Sequence, residues 1–349
     1  MLGIDKQAAR AAWTVLLVLV AAEVAYLIRR TLLIFIVALL AAYLLAPLLN
    51  FVDRVTPKKL PRAASLALVY LLLIALLGFA LSVVGNQIRQ EGVQLAVSIP
   101  EWLHSTDPLA SYQVPPWLLA WKLKALDAIR IQIEANAGRL VPLVGQAGQG
   151  ILSLLGNLVF VVLVPVLCFF FLKDATAIRS RIMDQFLDHP RLAEVDDLLS
   201  DVHVLLGQYM RALVILAAVA LISYTLFFLA VGLPYAVLLA ALGGVLEFIP
   251  MLGPLSAGVV ILLVAIFSGH AGLAPWLLLF LLGYRLFQDY VLQPYLMSSG
   301  VALHPLWVIF GVLAGGQIGG VGGMFLSIPT LAILRVVYVR VLKARRAKG

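Results

Sequence analysis

The chain has 349 residues, of which 63% are hydrophobic and only 12% charged. A soluble domain carries roughly 25% charged residues and about 45–50% apolar ones, so this composition excludes a water-soluble globule. The formal charge of +8 lies largely in short loops and at the carboxyl end, where it reads as membrane topology and anionic-lipid contact, not nucleic-acid binding.

Inside a bilayer the backbone must satisfy its own polar groups, which leaves helices and closed barrels. Barrel strands alternate apolar and polar residues. The apolar runs here are continuous and close to the ~20 residues that a helical span needs. The expected fold class is an all-α polytopic membrane protein. It has about six full spans plus two broken helical hairpins, about eight membrane segments in all, and a small extracytoplasmic helical segment.

Residues 1–85 read as three spans, at 13–28, 31–49 and 63–85, with Arg29 and Arg30 as a tight break between the first two. The polar stretch 86–149 places Trp117, Trp121, Ala125, Ile129 and Ile133 at helical spacing, which predicts the extracytoplasmic helical segment. Residues 150–172 form a fourth span, followed by a cytoplasmic segment over 173–208. At its end, 191–209 sets Val195, Leu198, Val202, Leu205 and Tyr209 on one face, with Glu194, Asp196, Asp197 and Asp201 off it. That pattern predicts an amphipathic helix on the membrane surface or against the bundle. Residues 209–340 form the motif-rich core, opening on a span at 212–231, and 341–349 a basic tail.

Sidedness follows the Lys/Arg bias of short loops. Arg54, Lys58, Lys59 and Arg62 mark one cytoplasmic loop, Lys173, Arg179, Arg181, Arg191 and Arg211 a second, and Arg335, Arg340, Lys343, Arg345, Arg346 and Lys348 a cytoplasmic carboxyl end. Both termini are expected in the cytoplasm. The first apolar run is followed at once by a second, with no convincing small-residue cleavage site between them, so no cleavable leader is expected.

Two stretches of the core share one pattern. Residues 233–268 hold Gly243-Gly244 and then Pro250, Gly253 and Pro254 near the middle. Residues 303–340 hold Gly315-Gly316, Gly319-Gly320 and Gly322-Gly323 near the middle. Each is two short apolar arms about a break, and each follows one full span, at 212–231 or 274–291. Read as re-entrant hairpins entering from opposite faces, they return the basic carboxyl end to the inside. Paired broken segments of this kind point to a transporter site near the midplane, where half-helix ends present dipoles and free backbone groups. The competing reading is close packing alone, since Gly311, Gly315, Gly319 and Gly323 form a small-xxx-small ladder suited to helix contact.

Glu247 falls three residues before Pro250, at the first break. An ionisable residue within a membrane segment is a functional candidate by default, here for a proton, a cation or a polar substrate. The alternative is a carboxylate that caps the broken helix or pairs with a basic residue. Asp289 lies four residues after Arg285, so a local ion pair competes with a binding role. Gln288, Gln293 and Gln317 offer amides that could bind a sugar-like ligand, or simply bond neighbouring helices. The candidate binding set is Glu247, Pro250, Gly253, Pro254, Asp289, Gln293 and Gln317, with the four ladder glycines as hinge or packing positions.

No cofactor is expected. The five histidines lack metal-ligand spacing, and Cys168 is the only cysteine. There is no P-loop motif, and no nucleophile–base set converges in sequence. An enzyme is therefore not expected.

Three strings resemble a family signature. They are Leu246-Glu247-Phe248-Ile249-Pro250-Met251-Leu252-Gly253-Pro254, Val291-Leu292-Gln293-Pro294-Tyr295-Leu296-Met297, and the run from Leu303-His304-Pro305 through Gly315-Gly316-Gln317-Ile318-Gly319-Gly320 to Ser327-Ile328-Pro329. They resemble the autoinducer-2 exporter (AI-2E) family, also called the PerM-like permeases, and the order of segments matches over essentially the whole chain. The resemblance implies a transporter of the bacterial inner membrane. It exports a small polar molecule such as autoinducer-2, or exchanges sodium or lithium for protons, so that Na+ or H+ coupling is implied. It also implies homo-oligomers, pentamers in particular. A passive channel and a non-transporting scaffold are the competing functions.

Overall fold

The computed structural model describes residues 6–55, 62–104, 116–145, 162–184, 192–296 and 304–346. Among these the chain is helical, with no strand. Helix α1 spans Lys6–Leu27, α2 Arg29–Val55, α3 Arg62–His104 and α4 Pro116–Gly145. Then come α5 (Val164–Lys173), α6 (Ala175–Asp184) and α7 (Leu192–Ala230). The core closes with α8 (Ala236–Leu246), α9 (Leu252–Ala265), α10 (Ala274–Phe287) and α11 (Pro305–Arg346).

Four stretches are long and apolar enough to cross a membrane: Arg10–Leu27, Ala193–Ala230, Leu252–Leu296 and Pro305–Arg340. Three shorter apolar helices accompany them, Thr31–Ala46, Val164–Lys173 and Ala236–Leu246. Two of the long stretches are bent. Gly269 breaks the first at φ 82, and Gly319 and Gly320 break the second.

Three expected boundaries move. The Arg29–Arg30 break does not reverse the chain. The Ile28 N–H reaches the Val24 carbonyl at 3.0 Å, and the Ile28 carbonyl accepts the Leu32 N–H at 2.9 Å. With no glycine or proline there, these two bonds carry the chain on through a turn at Ile28 that separates α1 from α2. The Arg29 guanidinium lies 4.2 Å over the Tyr26 ring, and α1 stands exposed along its described length.

The third span runs on into the polar stretch after it. α3 has 43 residues, about 64 Å at about 1.5 Å per residue, against a hydrocarbon core of roughly 30 Å. Likewise the acidic stripe at 191–209 is no separate helix but the first half of the 39-residue α7. Its Asp197 and Asp201 receive Arg340 of α11 at 3.1 and 2.5 Å, which docks the end of α11 on the first half of α7.

The largest apolar cluster joins α7 to the first broken hairpin, α8–α9, and to α10. Phe228, Leu239, Ile261 and Leu277 are fully buried in it. Gly243 and Gly244 make that packing close, because side chains there would overlap the Tyr224 ring and press on Leu221. The first arm is short: α8 has 11 residues, about 16 Å, so it spans only part of a bilayer core, whereas α9 runs on through a π-turn to the break at Gly269.

The second hairpin folds about Gly319 and Gly320, the latter at φ 59 and ψ −142. That backbone region is essentially open to glycine alone. The arms 305–318 and 321–346 then lie against each other. A side chain on Gly315 would overlap the Gly323 carbonyl, one on Gly323 the Gly315 carbonyl, and one on Gly311 the Leu331 side chain. The ladder is thus folded on itself: Gly311 and Gly315 face the returning arm, Gly323 belongs to that arm, and Gly319 lies at the bend. At the tip, Gly319 and Gly322 approach Leu33 of α2.

Candidate functional site

The first break is built by local chemistry. Pro250 has no N–H to offer the ladder, and α8 ends at Leu246. Past it the chain tightens: Phe248 N–H donates to Val245 O at 3.2 Å and Ile249 N–H to Leu246 O at 2.9 Å. Leu252 N–H donates to Pro250 O at 2.7 Å across Met251, whose φ is 63 and ψ −52. That is a strained γ-turn for a residue with a side chain. Gly253 completes it, since any side chain there would overlap the Leu246 carbonyl oxygen.

Glu247 sits at the mouth of this turn, only 6% exposed. Its Oε2 accepts a 2.7 Å hydrogen bond from Gln288 Nε2, and Gln288 is 1% exposed. Glu247 Oε1 and Gln288 Oε1 have no partner among the described residues. A buried carboxylate in a membrane segment is costly, about 2.5–3.5 kcal/mol at a helix centre on insertion scales for Asp, which makes Glu247 a candidate functional group.

Gln288 reaches Glu247 from the end of α10. There the helix widens into a π-turn over Gln288–Leu292, where the Gln293 N–H reaches back to the Gln288 carbonyl. Single π-turns recur at functional sites. Asp289, one residue on, is held by its own helix: Arg285 Nε donates to Oδ2 at 2.9 Å and Gln293 Nε2 to Oδ1 at 3.2 Å. The bond that Glu247 makes is to an amide and not to a basic residue.

A cavity of about 370 Å³ opens beside these groups. Glu247, Pro250, Met251 and Pro254 of the first hairpin line it, with Arg285, Gln288 and Gln293 beyond α10's midpoint. Leu205, Gln208, Tyr209, Leu213 and Leu216 of α7 form another wall. Pro305, Val308, Ile328 and Ala332 come from both arms of the second hairpin. Phe248 and Phe325, 6.0 Å apart between ring centroids, bring the two hairpins together.

The predicted residues therefore separate. Glu247, Pro250, Pro254 and Gln293 line the cavity, and Gly253 shapes its rim. Asp289 stands behind, steadying Arg285. Gln317 is exposed near the tip of the second hairpin and lies outside the cavity lining. Gln288, Arg285 and Tyr209 were absent from the predicted set yet line the cavity. Gln288 carried a signal, an amide in an apolar run. Tyr209 carried none, since it reads as part of an apolar stripe.

Glu91 is a second buried carboxylate, on α3, 8% exposed. Its Oε2 accepts the Leu238 N–H at 2.8 Å and its Oε1 the Gln87 amide at 2.9 Å. It thus caps the first turn of α8 from another helix, where the free N–H groups and the dipole favour an anion. One hairpin arm carries a buried carboxylate at each end. Among the described residues no cluster of histidine, cysteine, aspartate or glutamate is arranged to hold a metal ion.

The chain is similar to known proteins. The chain is 27% identical to YrrI of Bacillus subtilis strain 168 over 317 residues, covering 89% of this chain and 86% of YrrI. It is 24% identical to YueF of the same organism over 346 residues, 96% and 93% of the two chains. Both are assigned to transport in their names. PerM of Escherichia coli K12, a permease by name, is 30% identical over 189 residues, 54% of this chain and 53% of PerM. The family model for AI-2E family transporters matches residues 14–343. Its helices suited to crossing a membrane make this chain a multi-pass membrane protein, and it belongs to the AI-2E transporter family.

Proposed function

We propose that the chain is a secondary transporter of the bacterial inner membrane. It moves a small polar molecule of the autoinducer-2 kind, or exchanges a monovalent cation for protons, by alternating access around the cavity beside Glu247. The observation that carries this reading is a buried carboxylate with an unpartnered oxygen, in a cavity walled by both broken hairpins. A scaffold has no use for such a group. Glu247 supplies the charge that a coupling ion or proton neutralises, Gln288 orients it, and the strained turn at Met251 supplies a segment able to rearrange. The arms of both hairpins are re-entrant, the 86–149 segment is outside, and the 173–208 segment and the carboxyl end are inside. The protein works as a homo-oligomer in contact with anionic lipid.

Flux into inverted vesicles tests the reading. Sugar-like signals, and sodium or lithium with an imposed pH gradient, are offered to the wild type and to Glu247→Gln. The expected result is gradient-dependent flux that the variant loses while inserting normally. Gradient-independent flux in both would mean a passive channel, and no flux of any solute would leave a scaffold. Accessibility labelling of cysteines placed at Ser111 and Asp188 tests the sidedness, and labelling of Ser111 from the cytoplasm alone would reverse it.

A further inference from the structure

The two ends of α8 meet different surroundings. Glu247 follows its last turn and lines the cavity. The other end lies 11 residues back, about 16 Å along the axis, and meets a single stripe of α3. Ile88, Glu91, Leu95, Ser98 and Trp102 recur at alternating three- and four-residue spacing, which puts them on one helix face. All five reach the first hairpin. Ile88 and Leu95 are buried in the cluster that holds Leu238 and Leu239. Glu91 Oε2 accepts the Leu238 N–H at 2.8 Å. Ser98 Oγ lies 3.1 Å from the Tyr235 hydroxyl, and either can donate. The Trp102 and Tyr235 rings lie 6.3 Å apart.

The segment held in this way is a bend. Gly232 has φ 69 and Tyr235 φ 59, with Pro234 between them. A left-handed tyrosine persists only where its surroundings over-determine it, and Ser98 and Trp102 hold its side chain. The two faces of α8 also differ. Toward α7 the contact is glycine against side chain, at Gly243 with Tyr224 and at Gly244 with Leu221, which joins those two helices closely. Toward α3 the contact includes a carboxylate cap, a hydroxyl pair and a ring contact. Polar groups that part are rehydrated, so such a contact opens at a small net cost.

We propose that the α3 stripe is a latch on the outer end of the first hairpin, which parts when the cavity becomes reachable from outside. The latched end follows the span 212–231 and is extracytoplasmic on the proposed sidedness. The cavity extends the other way, to Leu205 and Gln208 ahead of that span, with the exposed Met251 and Pro305 at its border. In this structure the latch is closed. It rests on the alternating-access reading of that cavity and names the contact that gates its outer side.

Two measurements on the full-length protein test it. In the first, Ser98→Cys and Tyr235→Cys are joined by a short bis-methanethiosulfonate in vesicles assayed for sodium or lithium flux with an imposed pH gradient. Cross-linking is expected to stop the flux and reduction to restore it, while a monofunctional methanethiosulfonate on the same pair spares it. Undiminished flux through the cross-linked protein would overturn the latch. In the second, Leu95→Cys in nanodiscs reports parting of the stripe through its rate of labelling by a maleimide. Glu91→Ala is expected to raise that rate at least about tenfold, as for loss of a hydrogen bond to a charged group. Glu91→Gln keeps an acceptor for the Leu238 N–H and should raise it less. Cys168, 1% exposed in a separate cluster, should stay unlabelled, which separates local opening from unfolding. Equal labelling with and without Glu91, or Cys168 labelled in step, would overturn the latch. If flux persists through the cross-link, the transporter reading stands and the latch falls. If the wild type carries no solute, the transporter reading falls and the labelling alone decides the latch.

Discussion

The two broken hairpins share a plan and differ in what fills the break. In the first, proline, glycine and a carboxylate meet within seven residues, from Glu247 to Gly253, and the turn carries Met251 at φ 63. In the second the bend is glycine alone, and the nearby amide, Gln317, is exposed. Proline and a strained turn expose backbone groups and bury a polar side chain beside them. Glycine lets two arms touch backbone to backbone and brings no chemistry of its own. One break therefore supplies a buried carboxylate to the cavity, and the other supplies a wall, through Pro305, Val308, Ile328 and Ala332.

The sharpest way to break that contrast is substitution of the glycines themselves. Gly253→Ala and Gly323→Ala each push a methyl into a carbonyl, of Leu246 and Gly315 respectively. Each is expected to cost about 3 kcal/mol or more, at the severe end of single substitutions. Thermal unfolding in detergent measures it. Wild-type stability in either variant would mean that its hairpin is not folded as described.

Function should divide where stability does not. Glu247→Gln is expected to keep the fold and abolish coupled flux, whereas Gln317→Leu should leave flux per folded molecule unchanged. Loss of flux in Gln317→Leu would return the second break to the site. Loss of stability alone in Glu247→Gln would reduce Glu247 to a structural cap and send the search to Asp289 and Gln293.

Glu91 tests whether the first hairpin is held from outside its own sequence. Glu91→Ala strands the buried Leu238 N–H and is expected to cost about 1–3 kcal/mol. Faster hydrogen exchange confined to the first turn of α8 would mark the lost cap, and unchanged exchange would show that α8 holds itself. The smallest effect belongs to the second hairpin's returning arm. Arg340→Ala removes exposed pairs with Asp197 and Asp201 and should change stability by less than about 1 kcal/mol, with less effect at high salt.

What the residues determined unaided is what acts within a turn or two of helix. Long apolar runs specify helices, because the bilayer leaves the backbone no other partner. Pro250, Gly253 and Gly320 specify where those helices break, because the missing N–H, the missing side chain and the positive φ are local properties. Arg285 and Asp289 pair across four residues of one helix, and that too is legible from spacing. Tertiary structure alone decided the rest. Gln288 lies 41 residues from Glu247, and Glu91 lies 147 residues from the N–H it caps. Tyr209 turns from an apolar stripe into a cavity wall only because α7 runs unbroken past the first hairpin. The continuity of α3 with the polar stretch after it was equally hidden, since hydropathy registers a change of solvent and not the end of a helix. Spacing along a chain constrains neighbours on one helix. Which helices then share a cavity depends on packing across the bundle, where Gly243, Gly244 and Gly315 allow contacts closer than any side chain would permit.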